Sequence, residues 1–170
     1  MLFKSNLPYY TFHKEITLGT RSRIGLETET GKVLSVYHHW DGYPEWLGRI
    51  LKQHYNTPAA VKKLIDGGDM SSCYSDTGWD YDDKRDPQPC YYSERGEHCP
   101  PRLDKNFNEY FNNANSWEEY CYIFTTEGEW LCFEITKKYD EEYTEVLETI
   151  TVPRDIPEDV EKATAGAVSS

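Results

Sequence analysis

A chain of 170 residues with 38% apolar content, 15% aromatic content and a net charge of −12 suits one domain, large enough to bury a core without disulfide or metal staples. The 14 Tyr and 5 Trp make that core rich in aromatic rings. The acidity argues against direct contact with nucleic acid, which needs cations to displace counterions from phosphates; no apolar run approaches the ~20 residues that cross a bilayer, so no membrane partner is expected.

Residues 1–18 lack a clean period and read as an N-terminal arm. Ile24 and Leu26 then alternate with polar neighbours, Thr30-Gly31 supplies a turn, and residues 33–40 are β-branched and aromatic, so residues 21–40 read as a β-hairpin. Asp41-Gly42 breaks the second strand. Pro44 starts a helix to about Tyr55, with Trp46, Leu47, Ile50, Leu51, His54 and Tyr55 at the spacing of one buried face. Thr57 as N-cap and Pro58 behind it open a second helix, striped by Val61, Leu64 and Ile65 and ended by Gly67-Gly68.

Residues 69–89 are polar, Asp-rich and aperiodic and read as a long loop. Residues 90–93 read as a strand closed by Cys99-Pro100-Pro101, and Asp104 as the cap of a helix through Phe107, Tyr110 and Phe111. Ser116-x-x-Glu119 is a capping-box pattern that here precedes a strand. Residues 120–124 and 130–136 flank Glu127-Gly128 as a second hairpin; a two-residue turn there places Tyr122, Phe124, Leu131, Phe133 and Ile135 together on the core face. Residues 143–152 alternate apolar with acidic or Thr side chains, giving an edge strand or a short helix, and residues 153–170 read as a disordered tail. The expected architecture is one α+β domain over residues 19–152: a mostly antiparallel sheet built from two hairpins plus one or two further strands, with two or three packed helices.

Five cysteines, odd in number and outside any CxxC pair, give no disulfide framework, and the pattern fits reduced thiols inside a cytoplasm. A zinc set drawn from Cys73, Cys90, His98 and Cys99 matches no zinc module in its spacing, and the cluster Asp76, Asp80, Asp82, Asp83 and Asp86 lacks the glycine and terminal glutamate of an EF-hand. No metal or other cofactor is therefore expected. The phosphate-binding GxxxxGK[ST] loop, the dinucleotide GxGxxG, the GxSxG elbow and HExxH are all absent from the sequence.

Three segments concentrate side chains suited to chemistry. In Gly19-Thr20-Arg21-Ser22-Arg23-Ile24-Gly25, two guanidinium groups enter a strand, and arginine grips phosphate or carboxylate bidentately; a strand with a charged outer face is the plainer alternative. In Tyr37-His38-His39-Trp40-Asp41-Gly42-Tyr43, the adjacent histidines point to opposite faces of a strand, so one of them is available to a pocket; Asp41 is positioned in sequence to hold a ring nitrogen, with a packed strand-to-helix turn as the alternative. In Tyr91-Tyr92-Ser93-Glu94-Arg95-Gly96-Glu97-His98, carboxylates flank an arginine, and an ion pair from Glu94 or Glu97 to Arg21 or Arg23 is more expected than general-base work. The ligand-binding candidates are thus Arg21, Arg23, His39, Trp40, Asp41, Tyr43, Glu94 and Arg95, and His39 and Glu97 are the acid-base candidates.

The Gly-Thr-Arg-Ser-Arg-Ile-Gly element, His39-Trp40-Asp41-Gly42-Tyr43-Pro44, and Gly48-Arg49-Ile50-Leu51 with His54-Tyr55-Asn56-Thr57 resemble a family of small proteins encoded largely by bacteriophages and prophages. The later Tyr91-Tyr92-Ser93-Glu94-Arg95-Gly96-Glu97 and the aromatic hairpin over residues 120–133 extend the resemblance across about residues 19–135. It implies a phage accessory product acting in the cytoplasm of a bacterial host. With the missing catalytic motifs, the leading expectation is non-catalytic binding of a host or defence protein, or of a small anionic, nucleotide-like ligand. A small hydrolase or transferase on a nucleotide-like substrate is the second reading. A nucleic-acid mimic is the third, since residues 76–138 carry 14 acidic and 7 basic side chains and residues 139–170 carry 9 and 2, an acidic middle and tail that suit another protein's basic groove.

Overall fold

The computed structural model describes residues 19–73 and 88–158. The N-terminal arm, the Asp cluster at 76–86 and the end of the tail lie outside these described residues. The fold is α+β: among the described residues, eight strands form one open, mostly antiparallel sheet with three short helices packed on it.

Two hairpins make the centre of that sheet, as expected. Strand β1 (Arg21–Glu27) pairs antiparallel with β2 (Val33–His38), and β6 (Glu118–Phe124) pairs antiparallel with β7 (Trp130–Tyr139). The hairpins are joined through β1 and β6, which run parallel with Ile24 beside Tyr122. Outside them lie four strands rather than one or two: β3 (Met70–Ser72), β4 (Cys90–Tyr91), β5 (Arg102–Asp104) and β8 (Val146–Arg154). The order is β4-β3-β2-β1-β6-β7-β8, with β5 sharing the outer edge of β2 with β3.

Side chains alternate across the sheet, so each face has its own core. One face carries Ile24, Val36, Tyr122, Phe124, Trp130 and Cys132 and is covered by a π-helical turn (Pro44–Gly48), α1 (Arg49–His54) and α2 (Pro58–Asp66), which contribute Leu47, Ile50, Leu51, Val61, Leu64 and Ile65. Thr57 caps α2 as expected, its hydroxyl accepting from Ala60 N. The other face holds Val33, Cys121, Ile123 and Ile135 and is covered by α3 (Phe107–Asn112) through Tyr110 and Phe111. The Tyr110 hydroxyl donates to Tyr122 O at 2.8 Å and lies 3.2 Å from Arg23 O, which ties α3 to the β1–β6 junction.

Several local expectations are corrected. The second hairpin turns through Thr126-Glu127-Gly128, not two residues: Thr125 N donates to Glu129 O, Gly128 N to Thr125 O, and Gly128 takes φ 82°. The extra loop residue shifts the register, so Ile123 opposes Leu131 and Cys121 opposes Phe133; Tyr122 and Phe124 therefore lie on the opposite face from Leu131, Phe133 and Ile135. Asn106, not Asp104, caps α3 by accepting from Glu109 N, because Asp104 belongs to β5. Only Cys90 and Tyr91 are extended in the segment 90–93; Tyr92–Arg95 is a 3-10 turn ended by Gly96 in the left-handed region. Met70–Ser72, expected in a loop, is a strand because it adds to β2 beside His38. The segment near 143–152 is a strand, and it continues through Pro153 and Arg154, after which Ile156 is buried against Gly48.

Candidate functional site

Where β1 begins and β2 ends, on the face covered by α3, the sheet leaves an open cleft of about 560 Å³. Alternation along β1 sends Ser22 and Ile24 to one core and Arg21 and Arg23 to this side; alternation along β2 brings Tyr37 and His39 beside them. Asp69, Asn115 and Trp117 complete the wall. Asn115 and Trp117 belong to the connection from α3 to β6, placed next to Arg21 by the parallel pairing of β1 with β6.

The two arginines differ in their surroundings. Arg23 is only 5% exposed and is held on both sides: Nε donates to Ser35 Oγ at 2.8 Å, and Nη1 meets Glu118 Oε1 at 2.9 Å. Burial alone would lower its pKa, but the Glu118 carboxylate, joined by Tyr110 and Asp69, more than offsets this, and the group stays charged. The second oxygen of Glu118 accepts from Asn115 N at 2.8 Å, so one buried carboxylate fastens the loop bearing Trp117 to β1. This is half of a capping box, one residue earlier than the expected Ser116-x-x-Glu119. It also replaces the expected ion pairs from Glu94 or Glu97: the partner of Arg23 is Glu118.

Arg21 forms no ion pair among the described residues, and its guanidinium lies close enough to donate to the Tyr37 phenol oxygen. A guanidinium can only donate. The Tyr37 hydroxyl and His39 Nδ1 share a hydrogen bond at 2.7 Å, whose donor depends on the tautomer of His39. Burial and the nearby Arg21 both lower the His39 pKa, which keeps the ring neutral near pH 7. Burial raises the Tyr37 pKa, with Arg21 opposing. The cleft thus sets a guanidinium beside an imidazole whose Nδ1 is held by Tyr37.

Asp69 is the acceptor in this setting. Its Oδ1 takes the Tyr37 backbone N–H at 2.8 Å, at the point where the edge of β2 passes from β5 to β3 and no strand supplies a carbonyl. Burial raises its pKa, opposed by that hydrogen bond and by Arg23 and Arg102. Trp117 is 54% exposed, an uncovered indole at the edge of the cleft. Trp40 is 42% exposed and meets the His39 ring edge-on, with centroids 4.6 Å apart.

His38 lies on the other face and is buried. Its Nε2 accepts from Cys73 N at 3.0 Å, which puts the proton on Nδ1, facing Ser22 Oγ at 3.3 Å. The adjacent histidines therefore lie on opposite faces, one inside the core and one in the cleft, and neither ring is held by Asp41. Asp41 instead makes the turn after β2 with φ 55°, half-buried beside Tyr43; burial raises the pKa of both.

The structure brings together Arg21, Arg23 and His39 of the sequence-derived candidates, with Trp40 against His39. Asp41 and Tyr43 do not line the cleft. Glu94, Arg95 and Glu97 are exposed on and after the 3-10 turn, where Arg95 lies over the Tyr92 ring at 5.2 Å. Sequence reasoning missed Tyr37, Asp69, Asn115 and Trp117 as site residues. Tyr37 was legible two residues from His39 on the same face; the others come from distant segments and carry no local signal. Among the described residues no group of three or more His, Cys, Asp or Glu side chains can hold a metal ion, and no helix is long and apolar enough to cross a membrane. Comparison of the chain with protein-family models, curated proteins and solved structures found no match, so the geometry of the cleft is what bears on function.

Proposed function

We propose that the protein binds a small anionic, nucleotide-like molecule in this cleft and holds it without converting it, as an accessory protein of phage type acting in a bacterial cell. The observation that carries this reading is the contrast between the two arginines. Arg23 is neutralised by Glu118, whereas Arg21 has no carboxylate partner among the described residues and sits beside the imidazole of His39. A guanidinium suits the charge and shape of a phosphate or carboxylate, and an exposed Trp117 suits a ring. A volume of about 560 Å³ falls within the range of small-molecule sites, about 300–1,000 Å³.

Conversion of the ligand is less well supported. Glu97, the acid-base partner proposed for His39, is exposed and outside the cleft wall, and the His39 Nδ1 is occupied by Tyr37. The test is to incubate the purified protein with a small-molecule extract of bacterial cells and compare by mass spectrometry what is retained with what is altered. A nucleotide or similar anion retained intact is the expected result. A converted one would establish an enzyme, and retention of no anion would remove the binding reading.

A further inference from the structure

Strand β8 ends the sheet on the side of β7, and its outer edge pairs with no other strand among the described residues. Nine residues long, it presents there a row of backbone N–H and C=O groups that a further strand can take up. Its side chains leave that edge open: Leu147 is 65% exposed and Val152 47%. The strand carries two charges of opposite sign, Glu148 and Arg154. Pairing with β7 puts both on one face, together with Ile150 and Val152. On that face Glu148 Oε2 meets Lys138 Nζ at 3.9 Å, and Arg154 Nη1 meets Glu134 Oε2; all four side chains are partly exposed. Arg154 uses Nη1 alone for hydrogen bonds among the described residues, so Nε and Nη2 are left to donate.

We infer that this edge takes a second copy of the same chain, the two β8 strands running antiparallel about a two-fold axis at Thr151, so that the two sheets join into one. A two-fold axis across the joint sheet sets like face beside like face, so only residues an even number apart can stand opposite each other. Charge then chooses the register. Centred on Thr151, Glu148 of each copy stands opposite Arg154 of the other, and Ile150 opposite Val152. Each junction thus carries the row Lys138, Glu148, Arg154, Glu134, alternating in sign from one copy to the next. Centring on Ile150 sets Glu148 against Val152, and centring on Val152 sets Arg154 against Ile150, so either slip separates the charges. Pro153 suits an outer strand because it has no N–H to give to a second neighbour; its opposite in this register is Thr149, which limits the loss to at most one ladder hydrogen bond at each end.

Sedimentation of the full chain from about 1 to about 500 µM, the range suited to a small reversible interface, tests this. The expected result is a monomer–dimer equilibrium within that range. Glu148→Arg puts like charges together at both junctions and should weaken the dimer by about tenfold, as for two partly exposed ion pairs turned to repulsion. Adding Arg154→Glu to Glu148→Arg restores opposite signs across the junction and should recover most of the association. A chain that stays monomeric throughout would overturn the inference. So would a dimer indifferent to Glu148→Arg, which would place the interface elsewhere, or one that the second substitution fails to recover, which would remove the register. The concentration series on the unaltered chain needs no variant, and urea unfolding of each variant separates lost association from lost folding.

Discussion

Arg21 and Arg23 share a strand face two positions apart and differ in their surroundings, because Glu118, although it stands opposite Arg21 in the sheet, gives its carboxylate to Arg23. The sequence marks both as anion-binding candidates and gives no means of separating them, since their distinguishing neighbour lies 95 residues from Arg23. His38 and His39 show the same limit with a better outcome. The period-2 alternation of a strand is enough to send them to opposite faces, and it does; the tautomers depend on Cys73 N and Tyr37 Oη, which only the fold supplies. The buried His38 also makes a prediction about acid. Burial, reinforced by His39, pulls its pKa from 6.5 to about 3, so the folded state holds it neutral while the unfolded chain takes up a proton below about pH 6.5. Its contribution to stability is complete above pH 6.5 and is lost progressively as the pH falls towards 3, with a slope of up to about 1.4 kcal/mol per pH unit. Urea unfolding across that window should show the slope, and His38→Gln should flatten it. An unchanged slope in the variant would contradict the assignment.

At the scale of elements, the hairpins were legible because alternation and Gly-containing turns are local, whereas the register of the second was not. Two- and three-residue loops both fit Glu127-Gly128, and the choice between them moves every side chain of β7 to the other face. The contacts between elements were less legible still: β3 and β5 are three residues each, too short to display a period, and exist because β2 has an edge to pair. Glu118 is the clearest joint of this kind. It is 1% exposed and binds β1 through Arg23 and the Trp117 loop through Asn115 N. Removing one partner of a buried pair leaves the other charge uncompensated, so Glu118→Ala should lower stability by about 3–5 kcal/mol in urea unfolding. Arg23→Met in the same chain should recover most of that loss, because the pair is then absent and not merely broken. A loss below about 1 kcal/mol for Glu118→Ala would show that the joint is not holding the two elements.

Across the whole molecule, the fold class followed from patterning, while the site depends on one link that patterning cannot show. Two hairpins predict an antiparallel sheet; their parallel union through β1 and β6 is set by packing and brings residues 115–118 to residues 21–23. That union gives a net acidic protein a cleft lined by Arg21, Arg23 and His39. The excess of acidic residues lowers attraction for polyanions, and the proposed ligand is accordingly a small anion that needs only the local donors. Much of the acidic surplus was legible by counting, and the cleft was not, since three of its seven lining residues come from segments with no distinguishing motif.

The most direct test is to titrate the protein and Arg21→Ala with the anion retained from bacterial extract, under matched salt, with unfolding curves recorded for both. Arg21 is half-buried at the cleft and forms no ion pair among the described residues, so the variant should fold with unchanged stability. Its affinity should fall by about tenfold to a hundredfold, the range for losing a charge-assisted hydrogen bond or a bidentate pair. Equal affinity in the two proteins would contradict the account and move the binding site away from this cleft.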